Sequence, residues 1–211
     1  MLIPVAKIIR AELTVEGEDL IHNDLSSAAF YLVDRVRQRI AHEDGEGGLF
    51  LEMMAAFAMT AFSLEAYVNF IGEACMADDW PEMRATLFKL RTVYERLGLA
   101  PPDASRRPYS TVDAVVKLRN TLAHGKPFRW KRTEVITGTY DELLKRSRNA
   151  TEAGWAATLT PEFVQLAYED VEAIWKEMLD ASKIDIVDTM RGGSSGLRTL
   201  TEDDTLGRQQ D

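Results

Sequence analysis

One cysteine, Cys75, in 211 residues leaves no partner for a disulfide within the chain and no means of building a cysteine-ligated metal cluster. Between Ala74 and Met76 it reads as a small core residue. Histidine is scarce as well. His22 and His42 stand at no metal-ligand spacing, so both are expected on the surface, and no metal or cofactor is expected. Long apolar runs are missing too: the longest uncharged stretch, 53–64, falls far short of the ~20 residues a membrane helix requires. Met1 to Val5 is too short for the apolar core of a secretory signal, and Lys7 and Arg10 follow it. No glycine-rich phosphate loop with its lysine occurs, because Gly45-Glu46-Gly47-Gly48 lacks the strand that precedes such loops. These absences set the expectation of a cytoplasmic protein with no membrane partner.

Positive charge is in deficit overall, with a net charge of −9, which argues against a general nucleic-acid binder. The deficit is uneven. Between Arg106 and Arg148 there are eleven basic residues against four acidic ones. A basic island in an acidic protein is a candidate anion site, unless acidic helices elsewhere neutralise it.

What is abundant is helical periodicity. Leu25, Ala28, Ala29, Leu32, Val33, Val36 and Ile40 give a 3.6-residue stripe over 24–42, capped by Asn23 or Asp24. Residues 49–76 are apolar nearly all round, which predicts a central helix. Its Ala55, Ala56, Ala58 and Ala61 let neighbours approach closely. Trp80-Pro81 is expected to open a third helix with Met83, Leu87, Leu90, Tyr94 and Leu97 on its inner face, stopped by Gly98. A fourth is expected from Ser110, as cap, to His124, with Gly125 and Pro127 as the stop. A short helix over 140–147 and a longer one over 161–183 follow, the latter opened by Thr160-Pro161. Alternation over 9–15 suggests a short strand, and 133–137 is a second candidate that pairs with it. The fold class is therefore all-α. It is an up-and-down four-helix bundle with a short N-terminal strand, an extra C-terminal helix packed on its outside, and a disordered tail. The expected divisions are an N-terminal extension (1–20), the bundle (21–127), a C-terminal extension (128–189) and the tail (190–211).

The fourth helix carries the chemistry. At 100° per residue, Val112, Val115, Val116, Leu122 and Ala123 share one side, and Arg119 falls among them. A buried charge costs several kcal/mol unless paired, so Arg119 needs a carboxylate, backbone carbonyls or a bound anion. Glu65, in Ser63-Leu64-Glu65-Ala66-Tyr67 of the central helix, is the candidate carboxylate. His124 can act as a simple helix-end cation. The tryptophans Trp80, Trp130, Trp155 and Trp175 form no aromatic ladder. Trp130, within Phe128-Arg129-Trp130-Lys131-Arg132, has two readings: cover for a core edge, or a stacking surface for a base.

The segment Val116-Lys117-Leu118-Arg119-Asn120-Thr121-Leu122-Ala123-His124-Gly125 resembles the signature of the HEPN superfamily. That signature is an arginine, a polar residue, and a histidine after four to six intervening positions at the end of the last bundle helix. The apolar second helix with Leu64-Glu65-Ala66-Tyr67-Val68-Asn69-Phe70 adds to the likeness, which extends over about 23–127. The resemblance implies a homodimer through the fourth helix, with two arginine–histidine pairs in one cleft that cuts RNA without metal. In that reading Arg119, Asn120 and His124 are catalytic. Lys117, Lys126 and Arg129 are substrate-binding, and Glu65 supports Arg119. The implied setting is a toxin or defence ribonuclease, with an antitoxin or regulatory protein as a further partner. The alternative is a non-catalytic HEPN-like module for dimerisation or partner binding.

Overall fold

The computed structural model describes residues 9–42, 47–127, 129, 131, 133–149, 154–190 and 192–200. The chain divides into two units. One spans 21–184, and the other joins the described parts of 1–20 and 185–211.

Among the described residues the regular elements of the larger unit are helices, the long ones being α1 (Ile21–Ala41), α2 (Leu49–Met76), α3 (Thr86–Arg96), α4 (Tyr109–His124), α5 (Tyr140–Asn149) and α6 (Pro161–Ser182). The α1 stripe buries Ala29, Val33 and Val36, while Ile40 at its far end is exposed, and the helix starts at Ile21, which puts the expected caps Asn23 and Asp24 inside its first turn. Gly48, in the left-handed region at φ 80°, feeds the chain into α2. Burial on α2 exceeds a single stripe, since Ala61 and Gly72 on one side of Phe57 and Ser63 and Ala66 on the other are buried as well. α1, α3, α4 and α6 all pack on it. By length and composition Leu49–Asp79 is the one described stretch apolar enough to cross a membrane. The uncharged run alone missed this, because Glu52, Glu65 and Glu73 interrupt the stretch. Helices packed along it give it the setting of a core helix.

α6 differs from expectation. It does not lie outside a finished bundle: Val164, Ala167, Val171, Ile174 and Met178 join the same core as α1, α2, α3 and α4. Its start is as expected, with the Thr160 hydroxyl accepting from the Phe163 amide and Pro161 in first position. α3 begins later than Trp80-Pro81 implied. The Trp80 ring lies against Gly72 of α2, so close that a Cβ there would sit 2.3 Å from it. That anchorage holds 77–85 as a short 3-10 turn and a bend, and Met83 is left exposed. α4 begins at Tyr109 without a side-chain cap, so Ser110 is not its cap. Tyr109 is drawn inward instead, its hydroxyl donating to Glu177 at 3.1 Å.

His22 is a further correction. It is buried rather than on the surface, within a ring of Phe70, Trp175 and Tyr67 at centroid distances of 4.4, 5.4 and 6.1 Å. Beside it the Tyr67 hydroxyl donates to Glu172 Oε1 at 2.7 Å. Burial pushes the Glu172 carboxyl above its usual range, and hydrogen bonds from Tyr67 and Ser26 only partly oppose that. A carboxyl raised in the folded state binds its proton more tightly there than in the unfolded chain. Its contribution is therefore fully present below the ordinary glutamate pKa and is lost as pH rises through the raised folded value. Glu172→Gln keeps an acceptor for Tyr67 and removes the titration. Its melting temperature should gain on wild type as pH rises from about 4.5 to about 7.5. Parallel melting curves across that range would rule the effect out.

The smaller unit is a two-stranded antiparallel sheet of β1 (Ala11–Gly17) and β2 (Gly193–Thr199), with Ala11 opposite Thr199 and Gly17 opposite Gly193. Two expectations fail here. The partner of β1 is not 133–137, which forms no strand, and the region after 190 is not wholly a disordered tail. Glycine and serine lower the apolar content of β2, which is what disguised it as a tail. Residues 201–211, the rest of that expectation, lie outside the described residues.

Candidate functional site

Burial fades along the line of α4 that carries Arg119. Val115 is fully buried, Arg119 keeps 30% of its side chain exposed, and Ala123 is exposed. Leu118 is buried beside this line, and Leu122 packs partly on the core. Arg119 thus lies on the apolar face as expected, but at its margin rather than in the interior.

Three groups hold its guanidinium. Nη2 donates to Glu65 Oε2 at 2.5 Å, the pairing anticipated from the sequence. Nη1 donates to Asn120 Oδ1 at 3.0 Å. The Phe62 ring lies beneath it, 5.7 Å from Cζ to centroid. Phe62 and Glu65 are three residues apart on α2, so one face of α2 supplies both the ring and the carboxylate. Phe62 was not singled out from the sequence, because one aromatic in an apolar helix carries no distinguishing pattern.

His124 ends α4 in full view of solvent. Gly125 follows in the left-handed region at φ 54° and returns its amide to the Thr121 carbonyl at 3.3 Å, the glycine stop expected there. Beside this end lies an open groove of about 930 Å³. Its polar wall includes Lys117, Asn120, His124 and Lys126; Leu118, Leu122 and Trp155 are apolar lining. Lys117 is also tied to Asp113 one turn back at 2.5 Å.

The groove therefore gathers four of the seven predicted site residues. Arg119 and Glu65 lie outside its lining, and Asn120 connects the two places through its bond to Arg119. Arg129 is exposed but does not line the groove. Trp155, which no sequence pattern set apart, contacts Phe50 at 5.9 Å between centroids and also forms part of the groove wall. Nothing in its local sequence links it to a motif some thirty residues earlier. Trp130, the tryptophan set apart for its basic neighbours, lies outside the described residues. Among the described residues no group of three or more His, Cys, Asp or Glu is placed to hold a metal ion.

No family model, no curated protein and no solved structure matches this chain. Any functional reading therefore rests on the site's own chemistry and on the sequence resemblance carried by 116–125. An arginine fork, an amide and an exposed imidazole within two turns of helix suit an anionic, phosphate-bearing ligand.

Proposed function

We propose that the chain is a HEPN-like, metal-independent endoribonuclease of toxin or defence type, acting as a cytoplasmic homodimer through α4. The observation that carries this reading is the grouping of Asn120, His124, Lys117 and Lys126 on one groove, with Asn120 bonded to Arg119. RNA brings its own nucleophile, the 2′-hydroxyl. His124 takes that proton as the 2′-oxygen attacks phosphorus. The P–O5′ bond breaks, leaving a 2′,3′-cyclic phosphate and a 5′-hydroxyl. The 5′-oxygen takes its proton from the second copy's histidine. Arg119 meets the charge that grows on the phosphoryl oxygens. Asn120 orients the guanidinium, and Lys117 and Lys126, with Arg129 beyond the groove, hold the backbone. An antitoxin or regulatory protein fits the same reading. The test is incubation of the purified chain with total RNA in EDTA, mapping the new ends, with sedimentation for the dimer. Intact RNA and a monomer at micromolar concentration count against it.

A second reading, a non-catalytic HEPN-like dimerisation or partner-binding module, is favoured by the Arg119–Glu65 pair, which engages the guanidinium within one chain. Part-exposed as that pair is, with 30% of each side chain open to solvent, its expected worth is about 1 kcal/mol or less. Adding the ring contact, Arg119→Ala should lower the melting temperature by roughly 2–6 °C at ~2–4 °C per kcal/mol. A fall of roughly 10 °C or more would put the pair in a dry interface and favour the second reading.

A further inference from the structure

We propose that the β1–β2 sheet is half of a four-stranded sheet, completed by a second copy of this chain joined β2 edge to β2 edge. As a two-stranded ribbon it is unfinished. Such ribbons are marginal in water without further strands or a covering layer. Here Leu13, Val15 and Leu197 share one face of the ribbon and are 64%, 69% and 70% exposed. Among the described residues no third strand pairs with either edge.

The hydrogen-bond phase identifies the groups that each edge offers. The Leu200 amide donates to Arg10, and the Glu18 amide donates to Gly192. These pairs continue the strand register, so Glu12–Arg198, Thr14–Gly196 and Glu16–Ser194 are the inward-bonded pairs. Gly193, Ser195, Leu197 and Thr199 therefore turn their amides and carbonyls to the outer edge of β2.

In the register that overlaps each strand with its own copy over the full length, charge then favours the β2 edge. Pairing β1 with its own copy about Thr14 sets Glu12 opposite Glu16, which is repulsive. Pairing β2 with its own copy about Gly196 sets Ser195 opposite Leu197 and Ser194 opposite Arg198, with no like charges meeting. Gly196 then lies on the two-fold axis at a non-hydrogen-bonded position, where backbones come closest. The resulting order, β1-β2-β2-β1, closes on itself. Both outer edges are β1 strands carrying Glu12 and Glu16, which discourage further growth.

Hydrogen exchange on the full chain tests this, because it reads the edge itself whatever else holds two copies together. In wild type the Ser195 and Leu197 amides should be protected, and more so at higher protein concentration. Ser195→Pro removes an outward amide only, so it should abolish protection at Leu197 and leave Thr14 and Gly196 protected. If the proline also unfolds the ribbon, Gly196→Lys serves instead. Its lysine lies between Glu12 and Glu16 diagonally within one chain but meets its own copy across the axis. It should abolish Leu197 protection at low salt while Thr14 stays protected, with protection returning as salt rises. Wild-type Ser195 and Leu197 amides that exchange as an open edge does, or protection that survives both substitutions, would overturn the proposal.

Discussion

His124→Ala is expected to slow RNA cleavage about 10²–10⁴-fold while leaving the fold almost as stable as before. The two halves of that expectation have separate causes. The imidazole is exposed at the last position of α4, so its loss opens no cavity. What stability it gives is its interaction with the helix end, about 0.3–1 kcal/mol when it is charged. Its removal from the reaction leaves the 2′-hydroxyl without a base and the leaving oxygen without an acid, in both copies at once. Binding should change little, because phosphate attraction stays with Arg119, Lys117 and Lys126. Lys126→Ala should do the opposite, weakening binding and reducing its salt dependence by about one unit of log–log slope. Cleavage rates, RNA affinity and melting temperature measured on the same preparations separate these effects. Equal cleavage by wild type and His124→Ala would remove His124 from the mechanism. No cleavage by either would turn the reading toward the partner-binding module.

The difference between what the sequence told and what it hid has physical causes. Stripe positions such as Ala29, Val33 and Val36, and caps such as Thr160 and Gly125, were readable because a helix has one period and few ways to end. The Arg119–Glu65 pair was readable because a charge on an apolar line demands a partner. Its partial exposure was not, because nothing in the sequence says how far α4 runs past the core. Trp80 looked like a helix start, since Trp80-Pro81 satisfies the local rule. A long-range contact with Gly72 decided otherwise, and local rules carry no information about such contacts. His22 reads as polar in isolation, yet three aromatic rings from α2 and α6 enclose it. β2 was hidden most completely. Its Gly-Ser-Ser-Gly opening has the composition of a linker, and its partner lies at the other end of the chain.

Phe57→Ala is expected to cost about 3–5 kcal/mol, and with it roughly 10–15 °C of melting temperature. Phe57 is fully buried on α2 and stacks on Phe163 of α6, with centroids 6.0 Å apart at an interplanar angle of 28°. If α6 merely rested on a finished bundle, the space left by Phe57 would open toward a detachable helix, which could shift to fill it. With α6 inside the core, Val164, Ala167 and Val171 are fixed by their own packing, and the cavity stays. Phe62→Ala is the matched control, five residues along the same helix. That ring is 39% exposed and meets Arg119, so its loss should cost only about 1 kcal/mol and a few degrees. The double mutant Phe57→Ala with Phe163→Ala should cost less than the sum of its parts by about 0.5–1.5 kcal/mol, the worth of an aromatic pair. Thermal melts of the four variants decide the matter. A Phe57→Ala loss no larger than that of Phe62→Ala, or strict additivity with Phe163→Ala, would mean that α6 does not close the core.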